Sequence, residues 1–213
     1  MKSKVLSIFL CFMVMSANVL GDETNELELK ARAGDSAAQF HLGLLNSEGD
    51  TANNEKALYW FLQAAKGGLK DAQFNAANMF RRGDGTAVDY ASAIQLYKKS
   101  ANLGFTRSMH SLGVMYDTGE GVAKNAGKAA YWYEMAALEK YVDSQINLAF
   151  IYDSNRLGVE KKYRAYVWLA IARNFRDDNR IESVRDSFYQ KLGPEEKEKA
   201  GIELNTIMKK IQG

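Results

Sequence analysis

The sequence predicts an all-α protein made of stacked helix pairs, about four of them, with a helical cap at each end. Three observations carry this. Residues recur at a fixed period: Trp60, Leu96, Trp132 and Trp168 stand 36 apart, as do Gly83-Asp84-Gly85 and Gly119-Glu120-Gly121. Ala38-Gln39-Phe40 returns as Ala72-Gln73-Phe74 at a spacing of 34. Periods of this length mark repeat architectures, in which no unit buries its apolar face without its neighbour. Within each unit, apolar residues fall at i, i+3, i+4 and i+7, as in Ala57, Trp60, Phe61 and Ala64, or Ala129, Trp132, Tyr133 and Ala136. Finally, Pro194 is the sole proline in 213 residues, so almost nothing breaks a helix.

The elements follow in order. Residues 24–33 read as a lone helix covering the first unit, with glutamates at exposed positions. The first helix of each pair is expected at 36–46, 71–82, 107–117 and 143–154, and the second at 54–66, 88–102, 124–138 and 161–174. Gly67-Gly68 and Gly104 follow second helices, where a left-handed residue closes the helix end. Lys140 holds the corresponding place later in the chain, so that turn is expected to close differently. Gly43, Ala77, Gly113 and Ala149 mark the close approach within each pair, and Trp60, Trp132 and Trp168 are expected to fill the core between second helices. Residues 179–192 and 194–211 form a degenerate last pair. Between them Gly193 ends one helix, Pro194 opens the next, Glu195 and Glu196 favour its N-terminus, and Lys209 and Lys210 suit its last turn.

Residues 1–21 read as a targeting segment. Lys2 and Lys4 precede an apolar run, Val5–Met15, broken only by Ser7, and a small, polar stretch follows. Eleven residues are too few to span a bilayer, so the expectation is a cleaved secretory signal, cut before Asp22 or, alternatively, after Ser16 or Ala17. The only cysteine, Cys11, lies inside this run, so the mature chain would have neither disulfide nor thiolate chemistry. Export without disulfides suits a periplasmic protein, with full secretion as the alternative. Removing the two lysines leaves 26 basic against 26 acidic residues, a balance that excludes a general electrostatic nucleic-acid binder.

The third unit carries Leu112-Gly113-x-x-Tyr116-x-x-Gly119-x-Gly121-Val122 followed by Lys128-Ala129-x-x-Trp132-Tyr133-x-x-Ala136-Ala137. This resembles the Sel-one-like repeat, a cousin of the tetratricopeptide repeat, and the resemblance covers about Ala37–Arg173. The second and fourth units are weaker: Asn78 follows Ala76-Ala77, and Asn155-Arg156-Leu157-Gly158 replaces Gly-x-Gly. The resemblance implies a right-handed helical solenoid whose members act mostly as adaptors and protein-binding scaffolds. Exported bacterial members include regulators, host-interaction factors and immunity proteins. The domain reading is 1–21 signal peptide, 22–34 capping helix, 35–178 four repeats and 179–213 capping pair.

Catalytic chemistry has little to stand on. The two histidines, His41 and His110, lie in different units with no acid at metal-ligand spacing, and the Ser-x-x-Lys, Lys-Thr-Gly and Gly-x-Ser-x-Gly signatures are absent. The Gly-x-Gly loops join helix to helix and read as turns, and Arg82-Gly83-Asp84 falls in one of them. No cofactor or metal is expected. What remains is a surface. With first helices lining the concave face, as the resemblance implies, one row is Phe40, Phe74, His110 and Ile146, and a second is Leu44, Asn78, Val114 and Phe150. A third is Ser47, Arg81, Asp117 and Asp153. The first two rows are mostly apolar, which suits either a groove for an apolar or amphipathic segment or a superhelix tight enough to bury them.

The functional expectation is a non-catalytic periplasmic scaffold that binds a protein or peptide through Phe40, Leu44, Phe74, Asn78, Arg81, His110, Val114, Asp117, Ile146 and Phe150. An immunity protein occluding a secreted toxic enzyme is one alternative, and an envelope hydrolase with an unrecognised site is another. The targeting reading has a direct check: intact mass of the exported protein should give a chain beginning at Asp22 or within a few residues of it, and a mature chain that keeps Met1–Leu10 sinks the reading.

Overall fold

A computed structural model describes residues 25–48, 52–154, 156–157 and 162–213. The expected signal segment and residues Asn155 and Gly158 of the fourth unit's loop lie outside them. A helical stretch at 25–32 (α1) is followed by ten helices: α2 (Ser36–Ser47), α3 (Asn54–Lys66), α4 (Lys70–Arg82), α5 (Tyr90–Asn102), α6 (Thr106–Thr118), α7 (Ala126–Leu138), α8 (Val142–Asp153), α9 (Tyr163–Phe175), α10 (Asn179–Gln190) and α11 (Pro194–Gln212). No strand occurs among the described residues. The class is an all-α solenoid of helix pairs, and every expected helix is present with ends within two residues of the reading. The chain divides into two compact units, Met1–Asp89 and Tyr90–Gly213.

The turn that joins one pair to the next repeats in detail. Gly34, Gly68 and Gly104 are left-handed, with φ of 97, 86 and 78°. Each donates its N–H three residues back, Gly34 to Ala31, Gly68 to Ala65 and Gly104 to Ala101, at 2.9–3.1 Å. The following N–H reaches five residues back, as from Leu69 to Ala64 and from Phe105 to Ser100. This double closure satisfies carbonyls that the helix end would otherwise leave without partners.

The turn at Lys140 closes in the same way, against expectation. Lys140 has a φ of 65°, its N–H reaches the Ala137 carbonyl at 3.1 Å, and the Tyr141 N–H reaches Ala136 at 3.1 Å. The packed helices on either side fix the path of the chain, so the lysine accepts a conformation that costs an L-residue energy.

A second device locks the turn. In the first turn of the next helix a buried glutamine amide donates back to the same carbonyl: Gln39 to Ala31 at 2.9 Å, Gln73 to Ala65 at 3.2 Å and Gln145 to Ala137 at 2.9 Å. Met109 stands at this position in α6, and there the buried Ser108 hydroxyl bonds to the Ser100 hydroxyl at 2.8 Å instead.

Within each pair the small residues do what their size suggests. A Cβ on Gly43 would lie 2.5 Å from the Phe61 ring, and one on Gly113 would lie 2.5 Å from the Tyr133 ring. Ala77 and Ala149 are fully buried. The residues that fill these holes correct the sequence reading by one position. Phe61, Tyr133 and Leu169 are at most 2% exposed, whereas Trp60 and Trp132 are only half-buried at the edge of the core. A ring seated over a glycine backbone has no room to spare, and the indole before it is turned toward the flank. Trp168 is buried as expected, because α10 and α11 both pack on α9.

The ends are capped. In the first unit Ala31 of α1 joins Ala38 and Leu42 in a core on which Leu27 and Trp60 pack. At the other end the Gly193 N–H donates to Glu196 Oε2 at 3.1 Å, Pro194 opens α11, and Arg164 of α9 pairs with Glu203 of α11 and donates to the Tyr152 hydroxyl at 2.6 Å.

Two outcomes test this packing. Lys140→Gly should stabilise the protein by about 1 kcal/mol, because glycine adopts the left-handed conformation without the penalty. Its melting point should rise by about 2–4 °C, and a lower one shows that the lysine side chain matters more than its backbone. Gly113→Ala should cost about 1–3 kcal/mol by overpacking Tyr133. Adding Tyr133→Leu, which recreates the Ala149 and Leu169 arrangement 36 residues on, should cost less than the two single changes together in a double-mutant denaturation cycle.

Candidate binding surface

None of the ten expected surface residues is buried: nine are half-buried and Phe150 is exposed. The reason is helical geometry. In α2, α4 and α8 a glutamine points to the preceding turn, and the row residues beside it lie on a flank that is only partly covered.

In the unit ending at Asp89, Phe40 is half-buried, its ring 5.7 Å from that of Phe61. Leu44 and Asn78 line a cavity of about 320 Å3 whose wall also includes Ser47, Asn75, Met79 and Arg82. Phe74 and Arg81 are half-buried and engaged with neighbours. Arg82-Gly83-Asp84 is turn backbone: Gly83 is left-handed and donates to the Met79 carbonyl at 2.8 Å.

In the unit beginning at Tyr90, Ile146 and Phe150 of α8 line a second cavity, of about 250 Å3. Leu169 of α9 and Ile181 and Val184 of α10 complete its apolar wall, and Arg176, Asp178 and Arg180 stand at its rim. Phe150 is 46% exposed, and its ring meets that of Phe188 edge-on at 6.5 Å. The rim charges are paired: Arg176 with Asp143 at 2.8 Å, and Arg180 with Asp178 at 2.8 Å. The Arg180 side chain, helped by its backbone N–H, holds the Asp178 carboxyl down to about 2. The α10 contribution was not foreseen. Its signal was Ile181 and Val184 at i, i+3 just after an N-cap acid, a pattern that reads as plain capping packing.

Val114 is half-buried against the core of this unit. Asp117 forms an ion pair with Arg156, and both sit near the Tyr133 hydroxyl. Burial raises the Tyr133 pKa and Asp117 adds to the rise, so this phenol stays protonated. His110 Nδ1 lies 2.8 Å from Ser144 Oγ, the contact that a base and a nucleophile would make. Ser144, however, is fully buried in the first turn of α8, where no substrate carbonyl can reach it. Among the described residues no group of three or more His, Cys, Asp or Glu is placed to hold a metal ion.

Comparison with known proteins gives a family signature. The Sel1 repeat matches residues 36–69, 70–105 and 106–141, so its third match ends just before α8. No curated protein matches the chain. Among solved structures, a Sel1 repeat protein from Oxalobacter formigenes is similar at 23% identity with a TM-score of 0.63, over 75% of this chain and 69% of that one. A protective antigen of uropathogenic Escherichia coli with an SLR fold gives 25% identity and a TM-score of 0.47, over 88% of this chain and 48% of that one. An immunity protein from Pseudomonas aeruginosa gives 17% and 0.34, over 73% and 81%. The first of these likenesses is one of fold.

Proposed function

As the chain belongs to the Sel1-repeat family, we propose that it is a non-catalytic scaffold of the periplasm that binds another protein, or a peptide segment of one, on the open flank of its first helices. One observation carries the reading: the expected row residues line the cavity in each unit, Leu44 and Asn78 in one, Ile146 and Phe150 in the other. Aromatic and aliphatic side chains held half-exposed over a concavity are what an interface centre needs, since anchors gain most when a pocket desolvates them fully. Asn78, Arg81 and Asp117 are the polar neighbours that would set specificity.

In this reading residues 1–21 direct export, 22–34 and 179–213 cap the array, and 35–178 present the binding face. Among the described residues no helix is long and apolar enough to cross a membrane. The periplasmic placement rests on the order of charge, apolar run and small residues in the first 21 positions.

A photo-crosslinking benzoylphenylalanine placed at Phe150 in the native envelope should trap the partner. The same group at Tyr131, 57% exposed on the second helix α7, should not. Phe150→Glu should weaken binding of the trapped partner by about 2 kcal/mol or more, roughly 30-fold. Its melting point should stay within about 2–4 °C of the parent, since nearly half of the side chain already faces solvent. Preferential capture at Tyr131, or full binding by Phe150→Glu, places the partner elsewhere.

A further inference from the structure

We propose that His110 is a pH-sensitive rivet between consecutive helix pairs: the neutral ring joins α6 to α8, and proton uptake loosens the junction. The side chain leaves α6, is half-buried, and reaches Ser144 Oγ on α8 at 2.8 Å. Its ring lies 5.6 Å from that of Tyr133 on α7 and 4.9 Å from that of Tyr141, the residue that leads into α8. It thus touches every element that forms the junction. The equivalent positions are Phe40, Phe74 and Ile146, so a titratable group has entered a row that is otherwise apolar.

The groups around the ring decide which form the fold prefers. Burial penalises the charged form and is the largest effect on its pKa, which is lowered. Asp143 on α8 opposes this. That carboxylate is bound to Arg176 at 2.8 Å, however, so much of its field is neutralised. Arg107, one turn earlier on α6, is exposed and engaged with neighbours. The faces of Tyr133 and Tyr141 attract a cation only weakly while water stays within reach of the ring.

The sign follows by linkage. A histidine whose native pKa lies below its unfolded value of about 6.5 contributes full stability above that value. As the pH falls, the unfolded or opened chain takes up the proton first, so stability declines until the native pKa is reached and is level below it. Acid therefore favours opening at this junction.

The test is an NMR titration of the imidazole C–H resonances, with His41 on α2 as the other signal, alongside hydrogen exchange of α6 and α8 amides at about pH 7.5 and about pH 5. His110 should titrate below about 6.5, with Asp143→Asn lowering the value and Arg176→Ala raising it. Protection in α6 and α8, corrected for intrinsic exchange, should be measurably lower at the lower pH than at the higher. His110→Phe, which restores the row residue found at positions 40 and 74, should remove that fall. Titration at or above the ordinary value overturns the proposal, as does an acid-induced loss that persists in His110→Phe. Should that variant not fold, the wild-type titration and its opposite shifts in the two charge variants decide the matter.

Discussion

Everything in this chain depends on how one helix pair hands over to the next. At each handover the last-turn carbonyl of a second helix receives two donors, the N–H of a left-handed residue and, at three of four turns, a buried glutamine amide from the following helix. The first donor fixes where the chain reverses. The second fixes the rotation of the next helix about its own axis, because the amide can reach that carbonyl from one helical face only. With direction and rotation both set at the first turn, Gly43, four positions after Gln39, meets the second helix of its own pair, and the Phe61 ring over it has its seat. The clamp is not free of cost: the Oε1 atoms of Gln73 and Gln145 are buried with no hydrogen-bond partner, so the geometry is held at the expense of an unsatisfied acceptor in each.

This hierarchy explains which features were legible from the residues. Helix positions were, because a 36-residue recurrence and a 3.6-residue apolar period each constrain the same boundaries. The recurring Ala-Gln-Phe was visible as a repeat, but its role was not, since a glutamine in an apolar stretch gives no sign of which carbonyl it seeks. Trp60 and Trp132 were read as the plugs because they are the largest side chains in the period, yet size is not what the hole selects. The hole selects the position facing the glycine, and that is the following residue, Phe61 or Tyr133. Lys140 misled for a related reason. Glycine at a helix end shows that a left-handed turn is cheap there, whereas its absence says only that the turn is dearer, and packing on both sides still imposes it.

The surface was partly legible for the same physical cause. Rows read along the first helices assume that every repeat presents the same flank, and the ten residues are half-buried or, at Phe150, exposed. Three things lay beyond it. Closure of the second cavity by Ile181 and Val184 depends on the capping pair, which breaks the period. The pairing of Asp117 with Arg156 joins residues 39 apart, close to but not on the repeat. The contact of His110 with Ser144 joins residues 34 apart, from one first helix to the next, where the periodic reading looked only along rows.

These departures are not scattered evenly. In α6 the clamp glutamine is replaced by Met109, the row residue beside it is His110, and the turn that leads to the histidine's partner carries Lys140 where glycine would cost less. Tyr141, directly after that strained residue, packs at a tilt against the His110 ring, and Asp143 and Ser144 follow within the same turn of helix. At the turn itself a repeat that served only to stack would gain from glycine, the residue that takes the left-handed position at 34, 68 and 104. Local departures that the fold tolerates at a cost tend to gather where a protein does something besides folding. By that argument the α6–α8 junction and the neighbouring cavity of Ile146 and Phe150 belong together: one sets how firmly α8 is held, and the other is the surface that α8 presents.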